Sequence, residues 1–172
     1  MSLIAITVIG HDRPGIIAEA TGALAELGVN IEDSTMTRLR GHFAMMLVCA
    51  GDVSAAAAEK ALAGLTADGT LQVTAREVAT EELATPAGRP YVLTVHGGDR
   101  PGIVSAVTSA VAADGGNITD LTTRLTGQLY LVVAEVDVPA SADEADLTSR
   151  LDEVARELGV DVTFRPQEAD VL

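Results

Sequence analysis

Tryptophan is absent from this chain of 172 residues, which holds two tyrosines, two phenylalanines, one cysteine and one lysine. Each scarcity excludes something. A sheet that binds single-stranded RNA stacks bases on exposed aromatic rings, and Phe43, Tyr91, Tyr130 and Phe164 are too few and too dispersed for that use. Cys49 alone cannot form an internal disulfide or a CxxC metal pair, which fits a reducing cytoplasm. Basic residues number 11 against 25 acidic ones, a formal charge of -14. Phosphate backbones are repelled by such a balance unless one face is locally basic, so direct nucleic-acid binding is not expected. The acids divide as 11 before residue 87 and 14 after it, which makes neither half an acidic tail. No apolar run approaches the roughly 20 residues of a membrane helix. The opening MSLIAITVIGHDRPG lacks the charged start and cleavage site of a secretory leader, so a cytoplasmic location is expected.

What the chain does have is a repeat. GHDRPGII at residues 10 to 17 returns as GGDRPGIV at 97 to 104. An offset of 87 aligns Asp12 with Asp99, Gly15 with Gly102 and Asn30 with Asn117. Beyond these, Arg38-Leu39 and Gly41 match Arg124-Leu125 and Gly127 at an offset of 86, which implies a one-residue length difference in the intervening segment. Two long copies indicate duplicated domains and not a solenoid. The expected division is a first domain at 1–80, a linker at 81–89 marked by proline and glycine, and a second domain at 90–172.

Each copy carries the same order of elements. Residues 3–9 and 91–96 are short and rich in Ile, Val and Thr, hence strands. After DRPG, Ile16, Ile17, Ala20, Leu24 and Leu27 recur at helical spacing, as do Ile103, Val104, Val107 and Val111, and Gly28 and Gly115 end those helices. Segments 29–39 and 117–126 turn at Gly41 and Gly127 into FAMMLVCA and LYLVVAEVDV as hairpins. Second helices are expected near 54–65 and 141–158. The later one has a capping box at Ser141 and Glu144 and a stripe of Leu147, Leu151, Val154 and Leu158. Strands near 70–78 and 160–165 close the copies. The order βαββαβ makes this an α+β chain of two ferredoxin-like domains, each a four-stranded antiparallel sheet with two helices on one face.

That architecture serves unrelated activities, so function has to come from the site. The DRPG turn, followed 15 positions after its glycine by the asparagine of GVNI or GGNI, resembles the signature of the ACT domain, a regulatory module that binds amino acids. The resemblance covers nearly the whole chain as two tandem copies, an arrangement similar to that of the glycine cleavage system transcriptional repressors. It implies a non-catalytic amino-acid sensor without a cofactor, most simply for glycine or serine. It also implies a homodimer acting on metabolism or transcription through a protein partner such as a transcription regulator. The alternative is an interaction protein that needs no ligand.

The chemistry of the turn is consistent with that implication. Proline costs no hydrogen bond in the first turn of a helix. Asp12 and Asp99 stand where a carboxylate can accept from free amides. Gly15 and Gly102 leave room for a ligand to approach amides that can receive an α-carboxylate. Asn30 and Asn117 open the second strand of each copy and are expected to sit next to the turn in space. By resemblance, ligands contact this turn and the start of the second strand of a neighbouring domain. The expected contacts are Asp12, Gly15 and Asn30 in the first copy and Asp99, Gly102 and Asn117 in the second. Related amino-acid-binding domains often carry asparagine where Asp12 and Asp99 stand, so the hydrogen-bond pattern differs here. The same residues could instead serve only as caps and turns. Arg13 and Arg100 are expected to be solvated or paired with acids. His11, His42 and His96 have no metal-ligand spacing along the chain, and no nucleophile, base and orienting group cluster in any motif.

Overall fold

The computed structural model describes residues 2–80 and 88–167. It forms two compact units, Met1–Glu82 and Leu83–Leu172. Most of the expected linker, 81–87, lies outside the described residues, while Gly88 and Arg89 already belong to a strand.

The first unit runs β1 (Ser2–His11), α1 (Ile16–Glu26), β2 (Asn30–Leu39), β3 (His42–Gly51), α2 (Ala55–Ala61), α3 (Ala63–Thr66) and β4 (Leu71–Val78). The second runs β5 (Gly88–Gly98), α4 (Ile103–Ala113), β6 (Asn117–Thr126), β7 (Leu129–Pro139), α5 (Glu144–Leu158) and β8 (Val160–Pro166). The sheets are antiparallel with orders β2-β3-β1-β4 and β6-β7-β5-β8. This is the ferredoxin-like arrangement in both copies.

Period-two alternation decides which face is buried. Ile4, Ile6 and Val8 of β1 and Phe43, Met45 and Leu47 of β3 pack against Ile16, Ala20 and Leu24 of α1. Leu93, Val95, Val132 and Val136 do the same beneath α4 and α5. All four aromatic residues lie in these cores or against them. Tyr91 stacks on Phe164 with centroids 4.5 Å apart, and its hydroxyl donates to Glu144 at 2.6 Å. Among the described residues the outer sheet faces therefore offer no phenylalanine, tyrosine or tryptophan ring for a base to stack on.

Three expectations need correction. The second helix of the first unit is broken at Leu62, where the Leu65 amide bonds back to the Leu62 carbonyl in a tighter turn. Spacing of three then points both leucines into the core, and Gly64 weakens any longer helix. The cap of α5 is Asp143, whose carboxylate accepts from the amides of Ala145 and Asp146; Ser141 stands too early for a capping box.

The third correction concerns the repeat. The hairpin pairs Leu39↔His42 and Thr126↔Leu129 are both 87 residues apart between copies, so no residue is missing. The turn glycine has moved instead. In the first hairpin Arg40 and Gly41 both have positive φ (50° and 85°), the type I′ pattern, whereas in the second Gly127 comes first, with φ 62°. Arg38 and Arg124 are consequently not equivalent. Arg38 pairs with Phe43 on the helix-facing side of the sheet, and Arg124 with Leu131 on the other.

Candidate functional site

In the first copy the chain leaves β1 at His11, and the Asp12 amide donates to the Gly41 carbonyl at 3.0 Å. Pro14 precedes the cap, and Gly15 occupies the N-cap with φ 92° and ψ -9°. That left-handed conformation is what requires glycine here. No side chain caps α1. The Asp12 carboxylate accepts instead from Arg38 at 3.3 Å, so the helix start keeps the unpartnered amides of an uncapped first turn.

Glu19 covers this start. Arg13 reaches it with two charge-assisted hydrogen bonds of 2.7 and 2.8 Å. A Glu19 oxygen stands 3.3 Å from where a side chain on Gly15 would begin. The hydrogen bond from Arg13 holds the Glu19 carboxyl below the usual carboxylate range and raises the Arg13 guanidinium above its ordinary value. Asp68 nearby is also lowered, mainly by hydrogen bonds from the amide and hydroxyl of Thr70.

The second copy has the same backbone and a different electrostatic setting. Gly102 has φ 96° and ψ -8°, again with no side-chain cap. The Asp99 amide donates to the Gln128 carbonyl at 3.3 Å. Ala106 stands where Glu19 stands in the first copy, so Arg100 turns away and donates to the Leu158 carbonyl at the end of α5 at 2.8 Å. Nothing lies within 4 Å of the open side of Gly102. Asp99 has no ion pair among the described residues, because Arg124 sits on the opposite sheet face. The Glu19–Ala106 difference is the signal that sequence reasoning passed over, although the repeat alignment displays it.

The asparagines are elsewhere. Asn30 pairs with Ala50, which pairs with Leu3, while the DRPG turn follows His11 at the far end of β1. Eight residue steps along β1, from Leu3 to His11, separate them, roughly 25 Å at about 3.3 Å per residue. Asn117 is likewise opposite Asp137, which pairs with Pro90. Each domain thus brings its Asp and Gly together and holds its Asn at the other end of the sheet. The expectation that the asparagine sits beside the turn of its own copy is overturned, since α1 and α4 span the length of the sheet before β2 and β6 begin.

Two βαββαβ units, each with an uncapped glycine helix start, define a tandem of ferredoxin-like domains. The ACT domain model matches residues 2–75 and 89–165, and the chain belongs to the ACT domain family. A segment of 47 residues is 49% identical to the UPF0237 protein of Streptococcus pneumoniae, 27% of this chain and 53% of that protein. The chain spans about half the length of such curated relatives. A longer match to UPF0237 protein MMP0657 of Methanococcus maripaludis is 35% identical over 75 residues, 43% of this chain and 83% of that one. Among solved structures, an unknown protein from Galdieria sulphuraria is similar with TM-score 0.81 and 29% identity, covering 97% of this chain and 99% of that one. A candidate glycine cleavage system transcriptional repressor superposes with TM-score 0.70 over 97% and 98% of the two chains, at 18% identity, a likeness of fold alone.

Proposed function

We propose that this chain is a non-catalytic sensor of a small amino acid, glycine or serine in the simplest case. It regulates amino-acid metabolism or transcription through a protein partner in the cytoplasm. The observation that carries this reading is the pair of helix starts in an ACT chain, where Gly15 and Gly102 leave the first-turn amides without a side-chain cap. An α-carboxylate is received by such amides and by the positive end of the helix dipole. The α-ammonium group takes its acceptors from the aspartate and from an asparagine oxygen.

Because Asn30 and Asn117 stand about 25 Å from the turn of their own domain, a site that uses both elements needs two domains. In the proposed homodimer the second domain comes from the other chain. The second copy is the better receptor, since Glu19 already places a carboxylate over the first helix start and Ala106 places none over the second. Sensing follows if the bound amino acid favours one domain arrangement over another. The test is calorimetric titration of glycine and serine into the parent, Asn117→Ala and Asp99→Ala. Binding that is lost in these variants supports the reading, and equal affinity in all three removes it.

A second reading, ligand-independent association, draws on the outer face of the first sheet. Ile9 and Met46 are about half exposed there, beside a groove of about 370 Å³ lined by Thr7, Thr35 and Ala44. Under that reading, a dimer forms with no amino acid present and the asparagine variants behave like the parent.

A further inference from the structure

His11 and His42 are 31 positions apart in sequence and directly opposite each other in the sheet, as the last pair of β1 and the first of β3. Both are exposed. Their side chains share the outer face: Val8 of β1 and Phe43 of β3 point into the core, so period-two alternation sends Ile9, His11 and His42 the other way.

The spacing of the pair follows from one hydrogen bond. The His11 amide donates to the Thr70 carbonyl at 3.0 Å, on the side away from β3. His11 and His42 are therefore a non-hydrogen-bonded pair, the kind with Cα atoms only about 4.5 Å apart and side chains closest. Two imidazoles standing side by side at that separation can turn one nitrogen each towards a common point, and about 2.0–2.1 Å is the distance a zinc ion requires of each.

We propose that His11 and His42 form a two-imidazole site for a divalent first-row transition ion, zinc, nickel or copper, at the hairpin end of the first sheet. Imidazole suits these metals, whereas magnesium and calcium prefer oxygen. No group of three or more candidate ligands converges among the described residues, so water or a ligand fills the remaining positions. The site belongs to the first copy alone. Gly98 and Leu129 form the matching pair of the second. His96, the remaining histidine, faces Asp161 at 3.5 Å and offers one imidazole only. The inference is independent of amino-acid binding.

The test is calorimetric titration of zinc chloride into the full chain without an affinity tag, compared with His11→Ala, His42→Ala and His96→Ala. The expected result is one saturable ion per chain with Kd below about 1 mM, weakened at least tenfold in the first two variants and unchanged in the third. All three side chains are exposed, and unchanged melting curves establish that the variants fold. A gain-of-site arm provides an independent check. Gly98→His with Leu129→His is built at open positions, since nothing lies within 4 Å of the Gly98 position and Leu129 is 52% exposed. It should raise the stoichiometry to two. Absence of saturable binding, or binding by His11→Ala or His42→Ala as tight as that of the parent, would overturn the proposal.

Discussion

Arg13 grips Glu19 with two guanidinium nitrogens, at 2.7 and 2.8 Å, over the glycine that starts α1. The matching arginine of the second copy, lacking a matching acid, goes to the carbonyl of Leu158 instead. One substitution between the copies, glutamate for alanine, thus separates a covered helix start from an open one.

If Glu19 is what closes the first start, Glu19→Ala should create binding there. Calorimetry is expected to count more amino acid bound per chain in this variant than in the parent. An unchanged stoichiometry would mean that Glu19 is not the obstruction.

The same contact makes stability depend on pH in a defined direction. Arg13 holds the folded-state Glu19 carboxyl below its ordinary value. Its contribution is complete above about pH 4.3, the unperturbed glutamate value, and fades as pH falls through the lowered folded value. The melting-temperature difference between the parent and Glu19→Gln should accordingly shrink on acidification and vanish at the acid end. A difference that stays constant from neutral to acid pH would exclude this linkage.

Gly102→Ala meets no neighbour yet must hold φ near 96°. Left-handed backbone costs an L-residue roughly 1–2 kcal/mol, so urea denaturation should show a loss of that size with an unchanged m-value. Gly98→Ala, without that φ and with equal space, should be near neutral. Equal effects at the two positions would contradict the conformational explanation.

Asp143 and Ser141 can be separated in the same way. Removing the true cap of α5 with Asp143→Ala should cost about 1 kcal/mol, while Ser141→Ala stays within about 0.5 kcal/mol. The reverse order would restore the capping box.

Most of the fold was legible because its signals are local. DRPG breaks a strand, apolar spacing marks α1 and α4, and glycine turns mark the hairpins. What escaped depends on register. A glycine that moves from second to first place in a two-residue turn looks like a deletion in an alignment, and only the pairing of Leu39 with His42 and Thr126 with Leu129 reveals equal lengths. The candidate site was half legible. Asp12 with Gly15 and Asp99 with Gly102 are neighbours in sequence and in space, but the distance from the turn to Asn30 depends on the length of α1 and on which end β2 enters. His11 and His42 show the converse, as they meet only through sheet pairing.

Under the proposed function, the folded chain binds a free amino acid at the open helix start of the second copy. Thermal unfolding of the parent and of Asn117→Ala, scanned against the common amino acids at millimolar concentration, tests it most directly. A ligand at a hundred times its Kd adds about 2.7 kcal/mol to stability, so the melting temperature is expected to rise clearly with at least one small amino acid, and the rise to be lost in Asn117→Ala. No rise with any amino acid, or the same rise in the variant, would contradict it.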